Sequence, residues 1–185
     1  MPGSSLKRID PLLHAIQTLT AESAEIVDMM RANRINKLDL LNRKFDQDYD
    51  DCLLIACQCF DMPDIAQINL IDETRQWTKA QKGLVCPLSG PRDEAICSIA
   101  IQTPDDLLVI EDGKLDPRVC GNPKVKAGVV SFYAGAPLVT PDGIALGAVC
   151  VAHSTPASIT DKQRVVLAAL ARIITTRMLT IQRLS

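Results

Sequence analysis

The chain has 185 residues, 47% of them hydrophobic and 23% charged, with a formal net charge of -2 and a pI of about 5.7. That is enough apolar material for one domain with its own core plus helical additions, and it lacks the basic footprint that nucleic acid or an anionic lipid surface requires. No apolar run approaches the roughly 20 residues of a membrane span, and the opening MPGSSLKRIDPLLHAIQ has neither the continuous apolar stretch nor the small-residue cleavage site of a signal peptide. A soluble cytoplasmic protein with no nucleic-acid and no membrane partner is expected.

Apolar spacing at Leu6, Ile9, Leu13 and Ile16 predicts an amphipathic helix to about Leu19. Pro11 inside it moves the start towards Asp10, with the proline at the first helical position. A second helix is predicted over Ala21–Asn42, with Ile26, Met29, Met30, Ile35, Leu38 and Leu41 on one broad face. Asp46–Phe60 reads as a third, ending before Asp61-Met62-Pro63. Ile65–Ile71 and Arg75–Leu84 have strand composition across the turn Asp72-Glu73-Thr74, which makes a hairpin.

Glu94–Ile101 (EAICSIAI) has helical spacing, and Leu107–Ile110 is a short buried strand closed by Glu111-Asp112-Gly113. Asp116-Pro117 has the form of an N-cap followed by a first-turn proline, and Gly121-Asn122-Pro123 is expected to stop whatever begins there. Ser131–His153 (SFYAGAPLVTPDGIALGAVCVAH) is a second hairpin turning at Asp142-Gly143. In it, the small Ala134, Gly135 and Ala136 are expected to let helices approach, and Cys150 to be core. A long final helix runs from Ile159 to about Leu184, its seam Leu167, Leu170, Ile174, Ile181, Leu184 close to a heptad. Strands paired in hairpins point to an α+β domain with an antiparallel sheet. The division expected is a helical extension over residues 1–42 and one globular domain over 43–185.

The seven cysteines, Cys52, Cys57, Cys59, Cys86, Cys97, Cys120 and Cys150, are odd in number and form no Cys-x-x-Cys pair. Neither a disulfide framework nor a zinc ribbon is expected, and most should be small buried hydrophobes. The two histidines, His14 and His153, do not suggest a metal site. No general acid-base pair or nucleophile with an activating partner emerges, so no catalytic residue is assigned.

Five segments together resemble a GAF domain, the sensory module of bacterial histidine kinases, cyclic-dinucleotide enzymes and related signalling proteins. They are DIAQINLIDETRQWTKAQKGL (64–84), PRDEAICSIAI (91–101), LLVIEDGKLDPRVCGNPKV (107–125), FYAGAPLVTPDGIALGAVCV (132–151) and the final helix. The resemblance covers roughly Phe45 to Ser185. It implies a central antiparallel sheet of five or six strands, terminal helices on one face, and a ligand cavity under shorter helices on the other. It does not settle function, because the fold hosts cyclic-nucleotide, bilin and haem binding, redox sensing and plain dimerisation.

Covalent bilin is disfavoured, since no Cys-His dipeptide exists and Ser98 follows Cys97. Haem is disfavoured too, because His14 lies in the extension and His153 ends a strand. Otherwise the cofactor is unknown. NRKFDQDYDD (42–51) has some likeness to the signature of cyclic-nucleotide phosphodiesterase sensors but stands before the first strand, and is read as coincidence. Related sequences often carry phenylalanine before the cavity cysteine and histidine two residues after it. Here Ile96 and Ile99 stand in those places, which favours a smaller, more apolar or empty cavity. The cysteine contexts of the free methionine-sulfoxide reductases, an enzymatic branch, find no counterpart, so a non-catalytic domain is expected.

If a ligand binds, the resemblance implies a cavity lined by Trp77 and Lys79, Arg92 and Cys97, Asp112, Asp116 and Arg118, and Tyr133. Several of these residues equally suit plain structural roles: core packing for Trp77, helix capping for Asp116, an ion pair for Arg118. Cys97 and Cys120 flank the implied cavity and are the cysteines expected to react. The leading reading is a sensory domain that binds a small molecule, dimerises through its terminal helices and signals to a kinase or cyclase output partner. The alternatives are a structural dimerisation module without ligand and a thiol-based redox sensor.

Overall fold

In the computed structural model, which describes residues 11–41 and 47–180, the first two predicted helices are one, α1 (Pro11–Lys37). No glycine or proline lies between Leu19 and Ala21 to interrupt it, and Pro11 is its first residue. Leu6 and Ile9 lie outside the described residues, as do Ile181 and Leu184 of the predicted C-terminal seam. α1 ends in a Schellman motif: Asp39 takes a left-handed φ of 51°, Leu40 N–H donates to Ile35 O at 3.2 Å, and Asp39 N–H donates to Asn36 O at 2.9 Å. The apolar contact that goes with this motif is supplied by Ile35 and Leu40, both fully buried in one core. α2 (Gln47–Cys59) ends in the same way, with Asp61 left-handed and Met62 N–H donating to Cys57 O at 2.8 Å.

The strands β1 (Ile65–Ile71), β2 (Arg75–Gly83), β3 (Ser89–Pro91), β4 (Leu108–Ile110), β5 (Phe132–Val139) and β6 (Ala145–His153) form one antiparallel sheet in the order β3-β2-β1-β6-β5-β4. The two predicted hairpins are β1–β2 and β5–β6. β3 is an addition: its three residues, Ser-Gly-Pro, carry no apolar alternation to signal a strand. The sequence segment Glu94–Ile101 does not form one helix. It divides into a 3-10 turn (Arg92–Glu94) and α3 (Cys97–Ala100), with Ala95 extended between them. Ala95, Ile96 and Cys97 are all buried, and a regular helix would turn one of three consecutive residues outward.

The turn begun at Asp116-Pro117 ends at Asn122, as expected, and Asn122-Pro123 then starts a helix. The Asn122 side chain accepts from Lys124 N–H at 2.9 Å and Pro123 occupies the first turn of α4 (Pro123–Lys126). Asp116-Pro117 begins only a turn, closed by Asp116 Oδ1 accepting from Arg118 N–H at 2.9 Å. The last helix is α5 (Asp161–Thr180).

Strand alternation sorts the interior into two cores. One face of the sheet, carrying Ala66, Ile68, Leu70, Phe132, Ala134, Ala136, Leu146, Val149 and Val151, packs under α2, α5 and the end of α1. From α5 it receives Leu167, Leu170, Ile174 and Met178. The other face, carrying Tyr133, Ala148, Cys150 and Ala152, packs under α3, α4 and their connecting loops. This is the antiparallel sheet with terminal helices on one face and short helices on the other that the GAF resemblance implies. Gly147 forms the last pair of the β1–β6 register, opposite Leu70, where any Cβ would run into the Asn69 carbonyl. No helix among the described residues is long and apolar enough to cross a membrane.

Candidate ligand cavity and its thiol floor

A cavity of about 420 Å³ opens on the second face of the sheet, between β1, β2 and β6, the 84–97 segment and the loop after α4. Its walls are mostly apolar, from Ile65, Ile96, Val129, Val130 and Ala152. Its polar groups include the amides of Gln67, Asn69 and Gln76, all buried, with Glu94 and Lys124 exposed at the rim. Gln67 and Asn69 are placed by the two-residue period of β1, which turns its apolar neighbours Ala66, Ile68 and Leu70 to the helices. They also hold each other: Asn69 Nδ2 donates to Gln67 Oε1 at 3.2 Å, and Thr78 Oγ1 donates to Asn69 Oδ1 at 3.0 Å.

Beside these amides lie two sulfur atoms. Cys97 opens α3, and Cys150 stands in the middle of β6; both are buried, with Sγ atoms 3.8 Å apart. Tyr133 Oη donates to Cys97 Sγ at 3.2 Å, and Asn69 Nδ2 points at Cys97 Sγ (3.4 Å) and Cys150 Sγ (3.7 Å). Gly135 makes this possible, because the Tyr133 ring lies over it in space that a Cβ would fill. Gly135 therefore serves the tyrosine, while Ala134 and Ala136 are the residues turned to the helices. Hydrogen bonding from Cys150 outweighs burial and, with the bonds from Tyr133 and Asn69 and the positive charge of Lys124, brings the Cys97 thiol down to about 7. Its interaction with Cys97, together with burial, pushes the Cys150 thiol well up; burial and the neighbouring Cys97 charge do the same to Tyr133, so both remain proton donors.

Of the residues singled out in the sequence, Cys97 and Tyr133 line this cavity. Trp77 and Lys79 do not. Ile68 pairs with Ala80 and Asn69 with Thr78, so Lys79 is the extra residue of a β-bulge, and its Nζ reaches Leu40 O at 2.6 Å on the helical face. Trp77, opposite Leu70, packs against the helical-face core, and its Nε1 donates to Asp72 Oδ2 at 2.6 Å. Arg92 stands outside the cavity as a tie to α1. Its Nη1 lies 2.8 Å from Asp28 Oδ2, while Asp28 also pairs with the buried Arg31, whose Nε donates to Ala145 O at 2.6 Å. Asp112 closes a turn by accepting from Lys114 N–H at 3.0 Å. Asp116 and Arg118 form a surface ion pair at 2.5 Å that holds the Asp116 carboxyl below the usual carboxylate range. Cys120 is exposed and does not line the cavity.

Sequence reading passed over Gln67, Asn69, Gln76 and the Cys150 partner of Cys97. A signal for the first two was present in IAQINLI, where two amides stand two apart among apolar residues and therefore share one face of a strand. Among the described residues no group of three or more His, Cys, Asp or Glu side chains is placed to hold a metal ion.

No family model matches the chain. It is 33% identical over 150 residues to a cyclic di-GMP phosphodiesterase of Pseudomonas aeruginosa, an alignment that takes in 80% of this chain but only 25% of that protein. The chain thus spans about a quarter of the length of this curated relative. Among solved structures, it superimposes on the GAF domain of an Acinetobacter phosphoenolpyruvate-protein phosphotransferase with a TM-score of 0.58 at 18% identity, covering 85% of this chain and 96% of that one. The free methionine-R-sulfoxide reductase of Neisseria meningitidis, solved with its substrate, gives a TM-score of 0.61 at 14% identity over 80% of this chain and 87% of that one. The PixJ GAF domain of Thermosynechococcus elongatus gives 0.59 at 11% identity over 75% and 86%.

Proposed function

Starting from a chain that has the GAF fold, we propose a sensory domain that holds a small, uncharged, largely apolar molecule in the cavity over β1 and β6 and passes its occupancy to the terminal helices. The cavity itself carries this reading. It has the size and the apolar lining with few convergent polar groups that small-molecule sites share. The polar groups at its floor are the amides of Gln67 and Asn69, the Tyr133 hydroxyl and two cysteine sulfurs, none of them a cation, which suits a neutral hydrogen-bonding group better than a phosphate or carboxylate.

A fluorescent apolar probe such as an anilinonaphthalene sulfonamide is expected to bind with one site per chain, and Ala152→Phe, which projects a ring into the cavity, to weaken that binding at least tenfold. A binding curve unchanged by the substitution would place the probe elsewhere and remove the reading. Native mass spectrometry of protein purified without denaturation offers a second check, through any retained small molecule.

Transmission rests on contacts at the other end of the site. The 3-10 turn that borders the cavity carries Arg92, and Arg92 grips Asp28 on α1, so displacement of the turn acts directly on that helix. The outer side of α1 exposes Ile26, Met29 and Met30, spaced three and four apart, and α5 exposes Val165 and Ile173. These faces support the proposal that two chains join through their helices. Light scattering is expected to give twice the 20.1 kDa chain mass, and Ile26→Glu with Met29→Glu to return it to one. A monomer before substitution would refute the helical dimer without touching the cavity reading. The curated relative favours a cyclic-dinucleotide enzyme over a kinase as the output that such a domain controls.

A further inference from the structure

We propose that Cys97 and Cys150 form a reducible dithiol, which a small hydroperoxide entering the cavity oxidises to a disulfide. The site rests on the access that the ligand cavity provides, and on four observations at its floor. The sulfurs are 3.8 Å apart, against about 2.0 Å in a disulfide; the gap is on the scale of a side-chain torsion change. Cys97 Sγ receives hydrogen bonds from Tyr133 and Asn69, two neutral donors converging on the sulfur that must carry negative charge to react. Both sulfurs line the cavity, so a reagent reaches them without unfolding the chain. Finally, Cys150 is held as a protonated thiol beside a more acidic one, the division of labour between an attacking and a resolving cysteine.

The chemistry balances on these two side chains and the peroxide. The Cys97 thiolate attacks one peroxide oxygen, the O–O bond breaks, Cys97 becomes a sulfenic acid, and the departing alkoxide takes a proton to leave as alcohol. The Cys150 thiol then attacks the Cys97 sulfur, the S–O bond breaks, and the hydroxyl departs with the thiol's proton as water. Two thiols and one hydroperoxide yield one disulfide, one alcohol and one water; the dithiol supplies the two electrons that reduce the peroxide.

The test is peptide mapping by mass spectrometry after exposure of the purified 185-residue chain to tert-butyl hydroperoxide near neutral pH, with free thiols alkylated before digestion. The expected product is one peptide pair joined through Cys97 and Cys150, lost on treatment with dithiothreitol. Tyr133→Phe should slow its appearance about fivefold, the effect of losing one hydrogen bond to the reacting sulfur. Cys150→Ser, which keeps a hydrogen-bond donor beside Cys97 but cannot form the disulfide, should leave Cys97 as a sulfenic acid that dimedone traps. A cross-link to another cysteine, over-oxidation of Cys97 without a cross-link, or oxidation confined to the exposed Cys120 would overturn the proposal. Probe binding measured on the same protein separates the two readings. A disulfide without probe uptake upholds the dithiol and removes the ligand site; probe uptake with both thiols still reduced does the reverse.

Discussion

Gly147→Ala is expected to destabilise the protein by about 3 kcal/mol or more, at the top of the range for overpacking a tight core. A methyl group at this position runs into the Asn69 carbonyl, which is backbone and cannot rotate aside. The clash falls at the Leu70–Gly147 end of the β1–β6 ladder, the pairing that joins the two hairpins into one sheet. Relief requires the strands to part, and parting them disturbs both cores as well as the Gln67–Asn69 floor. Urea unfolding monitored by circular dichroism would show a midpoint shifted well down with an unchanged slope. A shift within the error of the wild type would mean that the ladder gives way here without cost. Gly121, at an exposed loop where an added Cβ meets nothing, provides the control, and Gly121→Ala should be nearly neutral.

The second large effect is expected at Asp28. Its carboxylate is shared between Arg31, which is 3% exposed, and Arg92. Asp28→Ala leaves the Arg31 guanidinium buried without its counter-charge. Breaking a fully buried pair costs roughly 3–5 kcal/mol, and because the Asp28 side chain is partly open to water the expected loss is about 2 kcal/mol. Burial by itself would raise the Asp28 carboxyl, but hydrogen bonds from Arg92 and Arg31 and their charges prevail and hold it below the ordinary 3.8. A carboxyl lowered by folding stabilises the native state in full above its unfolded value and loses that contribution as the pH falls through its folded value. Wild-type melting temperature should therefore drop with acidification below about pH 4, and Asp28→Asn should flatten that part of the profile. An equally steep decline in the variant would assign the acid sensitivity to other carboxylates. Functionally, Asp28→Ala cuts the tie between Arg92 and α1, while Arg92 keeps its bond to Asp72 O, so any effect of probe occupancy on the protease sensitivity of α1 should be lost.

Much of this architecture was legible because its strands obey the two-residue period and its turns carry their own chemistry. Phe132–Val139 and Ala145–His153 are apolar on both faces and hinge on Pro-Asp-Gly, which leaves few alternatives to a buried hairpin. Helix ends were harder. Asp39 and Asp61 end α1 and α2 in left-handed conformations without glycine, so the usual residue cue was missing. The site was less legible than the fold, for a related reason. The family resemblance implies Trp77 and Lys79 at the cavity, but one extra residue in β2 decides which way Lys79 points, and a bulge has no composition of its own. Arg92 has the chemistry of an anion ligand, yet its partner Asp28 lies 64 residues away in the chain. The contact between Cys97 and Cys150 likewise joins a short helix to a strand 53 residues later, a proximity that only the folded chain creates.

The two outermost strands, β3 and β4, are three residues each, against seven to nine in the four strands between them. A border that short offers a neighbouring molecule few unpaired amide and carbonyl groups to seize, and β3 ends in a proline that has no N–H to give. Recruitment of a second chain by lengthening the sheet is thereby discouraged at both margins.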